Sequence, residues 1–306
     1  MTGFWAAAAA AGLLGLSGAA AAQVPPEIAA KVRAAGQAMD PSAGQLYAPM
    51  FGKEPWAGAK LTRDIAYGPD PLQTLDVFSP PGARGKRPVL LFVHGGGFTR
   101  GDKHGAFYPD NITLWGARNG MVGVNINYRL APKDAWPAGA KDLAAAIAWT
   151  RANIARYGGD PDRIILWGHS AGANHVADYV AHPEVQGPEA RAVKGAILLS
   201  AFYGAAPNAG SPHAYYGQDQ TLQSAASSIT GLGQSSIPLF VANAEFDPEQ
   251  FKTYATTMRE ALCKTPGRCP QYVYLKDHNH FTEGMAVGTA DQSLTGPLLK
   301  WIKARR

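Results

Sequence analysis

The sequence predicts one α/β domain, a mostly parallel central sheet with helices on both faces, and three observations carry that expectation. Short apolar runs alternate with segments of helical period from residue 89 onward, the pattern of successive βαβ units. The apolar run Ile164-Ile165-Leu166-Trp167 leads directly into Gly168-His169-Ser170-Ala171-Gly172 and a helical segment, a strand-to-helix turn built on small residues. The length of 306 residues, 46% hydrophobic and 17% charged, suffices to bury one large core and leaves little for a second full domain.

Taken in order, residues 1–22 carry no charged side chain and end their alanine- and leucine-rich run at Ala20-Ala21-Ala22, a small-residue cleavage site after an apolar stretch. So many Ala and Gly make a poor spanning helix, and a cleaved export signal is expected, with a periplasmic or secreted product and no membrane span after cleavage. Residues 23–60 read as an N-terminal extension or cap segment, with an amphipathic helix over Glu27–Met39 and then a Gly- and Pro-punctuated stretch. The main domain is expected over 61–306. It opens with a hairpin, Leu61–Tyr67 and Gln73–Phe78, joined through Gly68-Pro69-Asp70-Pro71. Strands follow at Val89–Val93 and Val122–Tyr128, a helix at Lys141–Tyr157, the strand Ile164–Trp167, and a helix from Ala171 that stops before Pro183. Gly195–Ser200 is the next strand. Tyr203–Ser236, long and rich in Gly, Ser, Ala and Gln, reads as a lid or excursion carrying substrate contacts. A strand at Ile237–Ala242, a helix at Pro248–Ala261, a last strand at Gln271–Leu275 and a closing helix at Leu294–Lys303 complete the chain.

Composition removes several partner classes. The net charge of +5 is spread over scattered Lys and Arg, with neither a basic run nor interleaved aromatics, so a nucleic-acid surface is not expected. Two cysteines, Cys263 and Cys269, flank the turn-forming Lys-Thr-Pro-Gly-Arg and in an exported chain predict a local disulfide. Without a neighbouring histidine cluster they cannot fill a tetrahedral metal shell, and no metal or cofactor is called for.

Chemistry concentrates in two glycine-bearing motifs. The turn around Ser170 holds a serine in a strained conformation at a helix N-terminus, where the Ala171 N–H meets negative charge growing on a carbonyl oxygen. His94-Gly95-Gly96-Gly97-Phe98 ends the strand that starts at Val89. Its bare N–H groups admit a substrate oxygen without a Cβ in the way, and neither the dinucleotide spacing nor a phosphate-loop Lys accompanies them.

The order His94-Gly95-Gly96-Gly97, Asn127-Tyr128-Arg129-Leu130-Ala131-Pro132, Asp160-Pro161-Asp162-Arg163-Ile164 and Gly168-His169-Ser170-Ala171-Gly172 resembles α/β-hydrolase carboxylesterases, of the hormone-sensitive-lipase-like or the feruloyl- and acetyl-xylan-esterase-like kind. The resemblance spans about residues 60 to 305. It implies the α/β-hydrolase fold and makes Ser170 the nucleophile, with the oxyanion held by the N–H groups of Gly96, Gly97 and Ala171 and Gly95 as a near alternative. One departure is that the hormone-sensitive-lipase-like group carries a well-formed helical cap before the glycine loop, whereas the extension here is short and weakly patterned.

The family order of serine, acid, histidine puts the acid just past a late strand, where Asp247 stands; Glu245 and Asp277 are the competitors, and Asp247 could instead cap the helix after it. The base is one of two residues in Asp277-His278-Asn279-His280-Phe281. By resemblance His280, followed by Phe281, is preferred, and His278 becomes the base if the last strand runs longer. His94 and His169 are expected to be structural, and His104, His175, His182 and His213 to be surface or packing residues. The expected activity is hydrolysis of small carboxylic esters, short-chain or aryl, through an acyl-enzyme. An arylformamidase-like amidase and a silent binding protein on the same fold are the alternatives.

Overall fold

The computed structural model describes residues 23–51, 57–82, 85–106, 108–204 and 214–305; the expected export signal and His213 lie outside them. Eight strands form one sheet: β1 (Lys60–Ala66), β2 (Thr74–Ser79), β3 (Arg87–Val93), β4 (Val122–Ile126), β5 (Gly159–His169), β6 (Val193–Leu199), β7 (Leu239–Phe246) and β8 (Gln271–Asn279). Their spatial order is β1-β2-β4-β3-β5-β6-β7-β8. The hairpin β1–β2 and the pair β2–β4 are antiparallel, and every later pairing is parallel.

The central strands are apolar on both sides because both sides are covered. Val89, Leu91, Val93, Ile164 and Leu166 point into one core, shared with helices α3 (Ala138–Asn153) and α4 (Ala171–Ala181). Leu90, Phe92, Ile165 and Trp167 point into the other, where Ile112 and Trp115 of α2 (Asp110–Arg118) and Leu298 and Trp301 of the last helix meet them. Strict alternation along β3 and β5 thus divides one run of residues between two cores.

Helix α2 is absent from the sequence expectation. All its residues from Asp110 to Ala117 are buried, so it shows no polar face, and Asn111, Thr113 and Gly116 lower its intrinsic helicity. Elsewhere the expected elements are present with shifted ends. The helix expected from Lys141 starts at Ala138, and the last strand runs to Asn279 through an irregularity opposite Ala244 and Phe246.

The expectation of one long loop over Tyr203–Ser236 is corrected. This stretch contains α5 (Gln220–Ala225), capped by the Asp219 side chain, and α6 (Ile229–Gln234). Both helices are short; α5 buries none of its own residues, and α6 is anchored by buried Leu232.

Beyond β7 come α7 (Glu249–Cys263), α8 (Thr282–Met285) and α9 (Thr295–Lys303). Cys263, the last residue of α7, is disulfide-bonded to Cys269 just before β8, as the spacing predicts. The N-terminal segment folds as α1 (Pro26–Ala35) and a 3-10 helix, Pro41–Met50. It is tied to the end of β8: Arg33 pairs with Asp277, and Tyr47 stacks on His278 and donates to Asp291. Among the described residues no helix is long and apolar enough to cross a membrane.

Candidate active site

Five loops leave the carboxyl ends of the parallel strands on one side of the sheet, the usual place for a site in an open α/β sheet. They carry the glycine motif after β3, Ser170 after β5, Ser200 after β6, Asp247 after β7 and His280 after β8.

Ser170 has φ 55° and ψ −124°, a region that side chains other than glycine rarely occupy. The strain is held by its neighbours. A Cβ on Gly168 would lie 2.3 Å from the Gly172 oxygen, and one on Gly172 would lie 2.1 Å from the Val93 oxygen, so only glycine lets the turn close. The Ser170 N–H donates to the Leu199 carbonyl at 2.9 Å, which fixes the turn onto β6.

Beside it, Gly96 has φ 132°, and a Cβ there would lie 1.9 Å from the Arg100 oxygen. Among the described residues the N–H groups of Gly96, Gly97 and Ala171 donate to no loop or turn carbonyl and to no side chain. The Gly95 N–H faces the Tyr108 hydroxyl. His94 is structural as expected: its Nδ1 bonds the Gly95 carbonyl at 2.7 Å and its ring stacks on Tyr128.

His280 and Asp247 meet. His280 Nδ1 lies 2.9 Å from Asp247 Oδ1, and both residues are buried. The other carboxylate oxygen of Asp247 accepts from Ser200 Oγ at 2.6 Å, the Ala244 N–H at 2.8 Å and Asn243 at 3.3 Å. Burial alone would push this carboxyl up; the His280 contact and these donors outweigh it and hold it below the ordinary carboxylate range. His280 Nε2 is buried and has no hydrogen-bond partner among the described residues.

The competitors are accounted for. Glu245 accepts from the Asp277 N–H at 2.8 Å, and Asp277 is engaged by Arg33. His278 faces Asp291 at 3.2 Å, and Asp291, which burial would raise, is brought down to about 2 by His278 and Ser293. The last strand does run past His278, yet the residue that turns to Asp247 is His280. Asp277 has φ 61° and the strand ends at Asn279, so the two histidines do not keep the common face that regular alternation would give them. Asn279 and Thr282 exchange hydrogen bonds across His280, the Asn279 Oδ1 accepting from the Thr282 N–H at 3.1 Å and Thr282 Oγ1 from the Asn279 N–H at 2.9 Å.

Ser170, His280, Gly96, Gly97 and Ala171 line one cavity of about 580 Å³. Its walls are mostly apolar: Met39, Phe98, Phe202, Phe251, Phe281 and Met285. None of the described residues of 203–236 lines it, and residues 205–213 of that stretch lie outside the described residues; Tyr215 and Tyr216 pack beneath Phe98, with centroids 4.7 and 5.5 Å away. Phe202, the Met39 end of the N-terminal segment and Met285 form part of the wall, and a sequence offers no signal for walls drawn from three distant segments. A groove of about 590 Å³ between α4 and the C-terminal helix contains no histidine and no carboxylate.

The remaining histidines serve packing or surface pairs. His175 is buried among Phe98, Tyr128 and Tyr215, His182 pairs with Glu184, and His104 with Asp110. His169 does more. Tyr108 O–H donates to its Nδ1 at 2.6 Å, which leaves the hydrogen on Nε2, and that N–H donates to the His280 carbonyl at 2.8 Å. Burial, then the adjacent His280, push the His169 imidazole down to about 3, so it is uncharged near neutrality. His169, His280 and Glu283 are the one set among the described residues with a ligand atom of each within 4.8 Å of the others; a cation there would draw on a histidine already committed to Asp247.

Comparison with known proteins agrees with this architecture. Residues 75–186 match the BD-FAE family model. Esterase LipQ of Mycobacterium tuberculosis is 35% identical over 234 residues, covering 68% of this chain and 55% of LipQ. Phenmedipham hydrolase of Pseudarthrobacter oxydans is 36% identical over 145 residues, 44% of this chain and 27% of that protein. The chain therefore spans about half, or less, of the curated relatives it matches. Among solved structures, an esterase from Pyrobaculum calidifontis superposes with a TM-score of 0.70 at 20% identity, covering 92% of this chain and 99% of that one. A bacterial heroin esterase gives 0.69 at 21%, covering 92% and 98%.

Proposed function

We propose that this chain, an α/β-hydrolase by fold, is a serine carboxylic-ester hydrolase that works through an acyl-enzyme. The observation that carries the reading is the state of His280: one ring nitrogen is fixed on Asp247, and the other, unpartnered, belongs to a ring lining the cavity where Ser170 and three unused N–H groups lie. Ser170 Oγ attacks the ester carbonyl carbon while its proton passes to His280 Nε2, and Asp247 stabilises the imidazolium that results. The carbonyl oxygen, now negative, is held by the N–H groups of Gly96, Gly97 and Ala171. Collapse of this intermediate expels the alcohol, which takes the proton from His280, and water repeats the sequence on the acyl-serine. No cofactor enters this scheme.

The aromatic and methionine walls suit a short acyl chain or an aryl group, since apolar area removed from water contributes about 25 cal/mol per Å². The protein is further proposed to be exported, with Ala22 as the last residue of a cleaved signal; the Cys263–Cys269 bond accords with an oxidising compartment. A panel of aryl esters of rising acyl length, run beside formanilide and acetylated sugars, tests the activity. Turnover should be highest on short aryl esters. Faster turnover of formanilide would make the protein an amidase, and inertness to all of them, with no labelling by an organophosphonate, would leave a binding protein.

A further inference from the structure

The site contains a carboxyl group that the scheme above does not use. Glu283, in the first turn of α8, is fully buried, and among the described residues neither of its carboxylate oxygens has a partner at hydrogen-bond geometry. Such a group is costly unless something specific keeps it. The ionisable groups facing it are His169, with Nε2 3.3 Å from Glu283 Oε1, together with His280, Asp247, Tyr108 and Tyr272. His169, uncharged, offers it no positive charge, and Asp247 already carries a negative one. Burial, then Asp247, push the Glu283 carboxyl well above its ordinary range, so it holds its proton near neutrality.

A neutral carboxylic acid has one acceptor and one donor to place. The acceptor faces His169 Nε2–H, the same N–H that holds the His280 carbonyl. The hydroxyl next to Glu283 is Ser200, whose own proton goes to Asp247 Oδ2 at 2.6 Å. We propose that Glu283 is a positioning residue which, as an uncharged acid, joins the two supports of His280: it accepts from His169 and donates to Ser200, coupling the grip on the histidine's main chain to the grip on its ring. The arrangement also keeps a single negative charge opposite His280, so the imidazolium formed during acyl transfer gives up its proton to the leaving alcohol rather than being trapped between two carboxylates.

The inference rests on the serine-esterase reading, and the experiment separates the two. Glu283→Gln, Glu283→Leu and Ser170→Ala are compared in the full chain, with kcat and KM on one short-chain aryl ester across pH and the rate of phosphonate labelling. Glu283→Leu should lower kcat and the labelling rate by about tenfold with KM within about twofold. Glu283→Gln, which keeps an acceptor and a donor without charge, should restore kcat to within about threefold, and the acid limb of its kcat/KM profile should superpose on wild type. Wild-type kcat in the Leu variant, or a Gln variant as slow as the Leu one, would overturn the proposal. So would an acid limb displaced by about one pH unit in the Gln variant, the mark of a lost negative charge. If Glu283→Leu fails a thermal-unfolding check, the Gln variant's profile decides alone. Wild type that resists labelling, or Ser170→Ala that keeps full turnover, would fail the serine reading instead.

Discussion

His280 Nδ1 and Asp247 Oδ1 stand 2.9 Å apart although 33 residues separate them, with the whole of α7, the Cys263–Cys269 loop and β8 in between. Neither partner can drift. Asp247 receives hydrogen bonds from Ser200, Ala244 and Asn243, and His280 is held at its carbonyl by His169 and flanked by the Asn279–Thr282 exchange. A base fixed this closely loses little entropy on reaching the transition state, and preorganisation of this kind underlies the tests that follow.

Ser170→Ala should leave the fold intact and reduce ester turnover by several orders of magnitude, to the level that oxyanion donors and binding sustain without a nucleophile. An organophosphonate should label wild type at Ser170 and leave the variant unmodified. Peptide mapping of the labelled protein is the check, and adduct on any other residue contradicts the assignment.

The two histidines at the end of β8 should part company. His280→Ala removes the group fixed on Asp247 and should cost nearly as much activity as loss of the serine. His278→Ala should retain most turnover but lower stability by roughly 2 kcal/mol, because buried Asp291 then keeps only Tyr47 and local donors. Kinetics and denaturant unfolding of both variants decide it, and collapse of activity in the His278 variant with near-normal turnover in the His280 variant reverses the choice.

Gly168→Ala and Gly172→Ala should each prevent formation of a native site, since the added methyl would meet main-chain oxygens at 2.3 and 2.1 Å and backbone cannot step aside as a flexible side chain can. Soluble expression and circular dichroism would register the loss, whereas a folded, fully active variant would mean that the turn opens more easily than its packing implies.

The contribution of Asp178 to stability should fall as pH rises from about 4 to about 7, while His169 and His175, each pushed down to about 3 by burial, act in the opposite direction. Burial pushes Asp178, on the elbow helix α4, up to about 7 against the hydrogen bonds of Ser228, Tyr216 and Trp136. In the unfolded chain an aspartate titrates near ~3.9. Across that window Asp178 therefore holds more proton in the folded state, and its contribution declines by at most about 1.4 kcal/mol per pH unit, then levels off. Glu283 acts in the same direction. Asp178→Asn removes the titration, so its stability relative to wild type should improve between pH 4.5 and pH 8 in chemical denaturation; a difference that does not change with pH would contradict this.

Intact-mass measurement of protein recovered from an exporting host should give a chain beginning at Gln23 and a gain of two hydrogens on reduction of Cys263–Cys269. Reduction should cost about 2 kcal/mol, the chain entropy of so short a loop. Free thiols in the exported protein would refute the bond as a native feature.

What the sequence by itself determined was local. The glycines around Ser170, the glycine run after His94, the strand-to-helix alternation and the Cys263–Cys269 spacing each state a short-range constraint that backbone sterics impose, and each is met where the residues stand. Tertiary structure alone decided the rest. Helix α2 is buried from Asp110 to Ala117, polar residues included, so it offers no exposed polar face by which a sequence would mark it. The preference for Asp247 over Glu245 and of His280 over His278 depends on how β7 and β8 pair and where each loop turns, which no spacing of a few residues encodes. Glu283 lies three residues past His280 with no pattern to mark it, and only the closure of β5, β6, β7 and β8 around it shuts out water and makes an ordinary glutamate an uncharged acid.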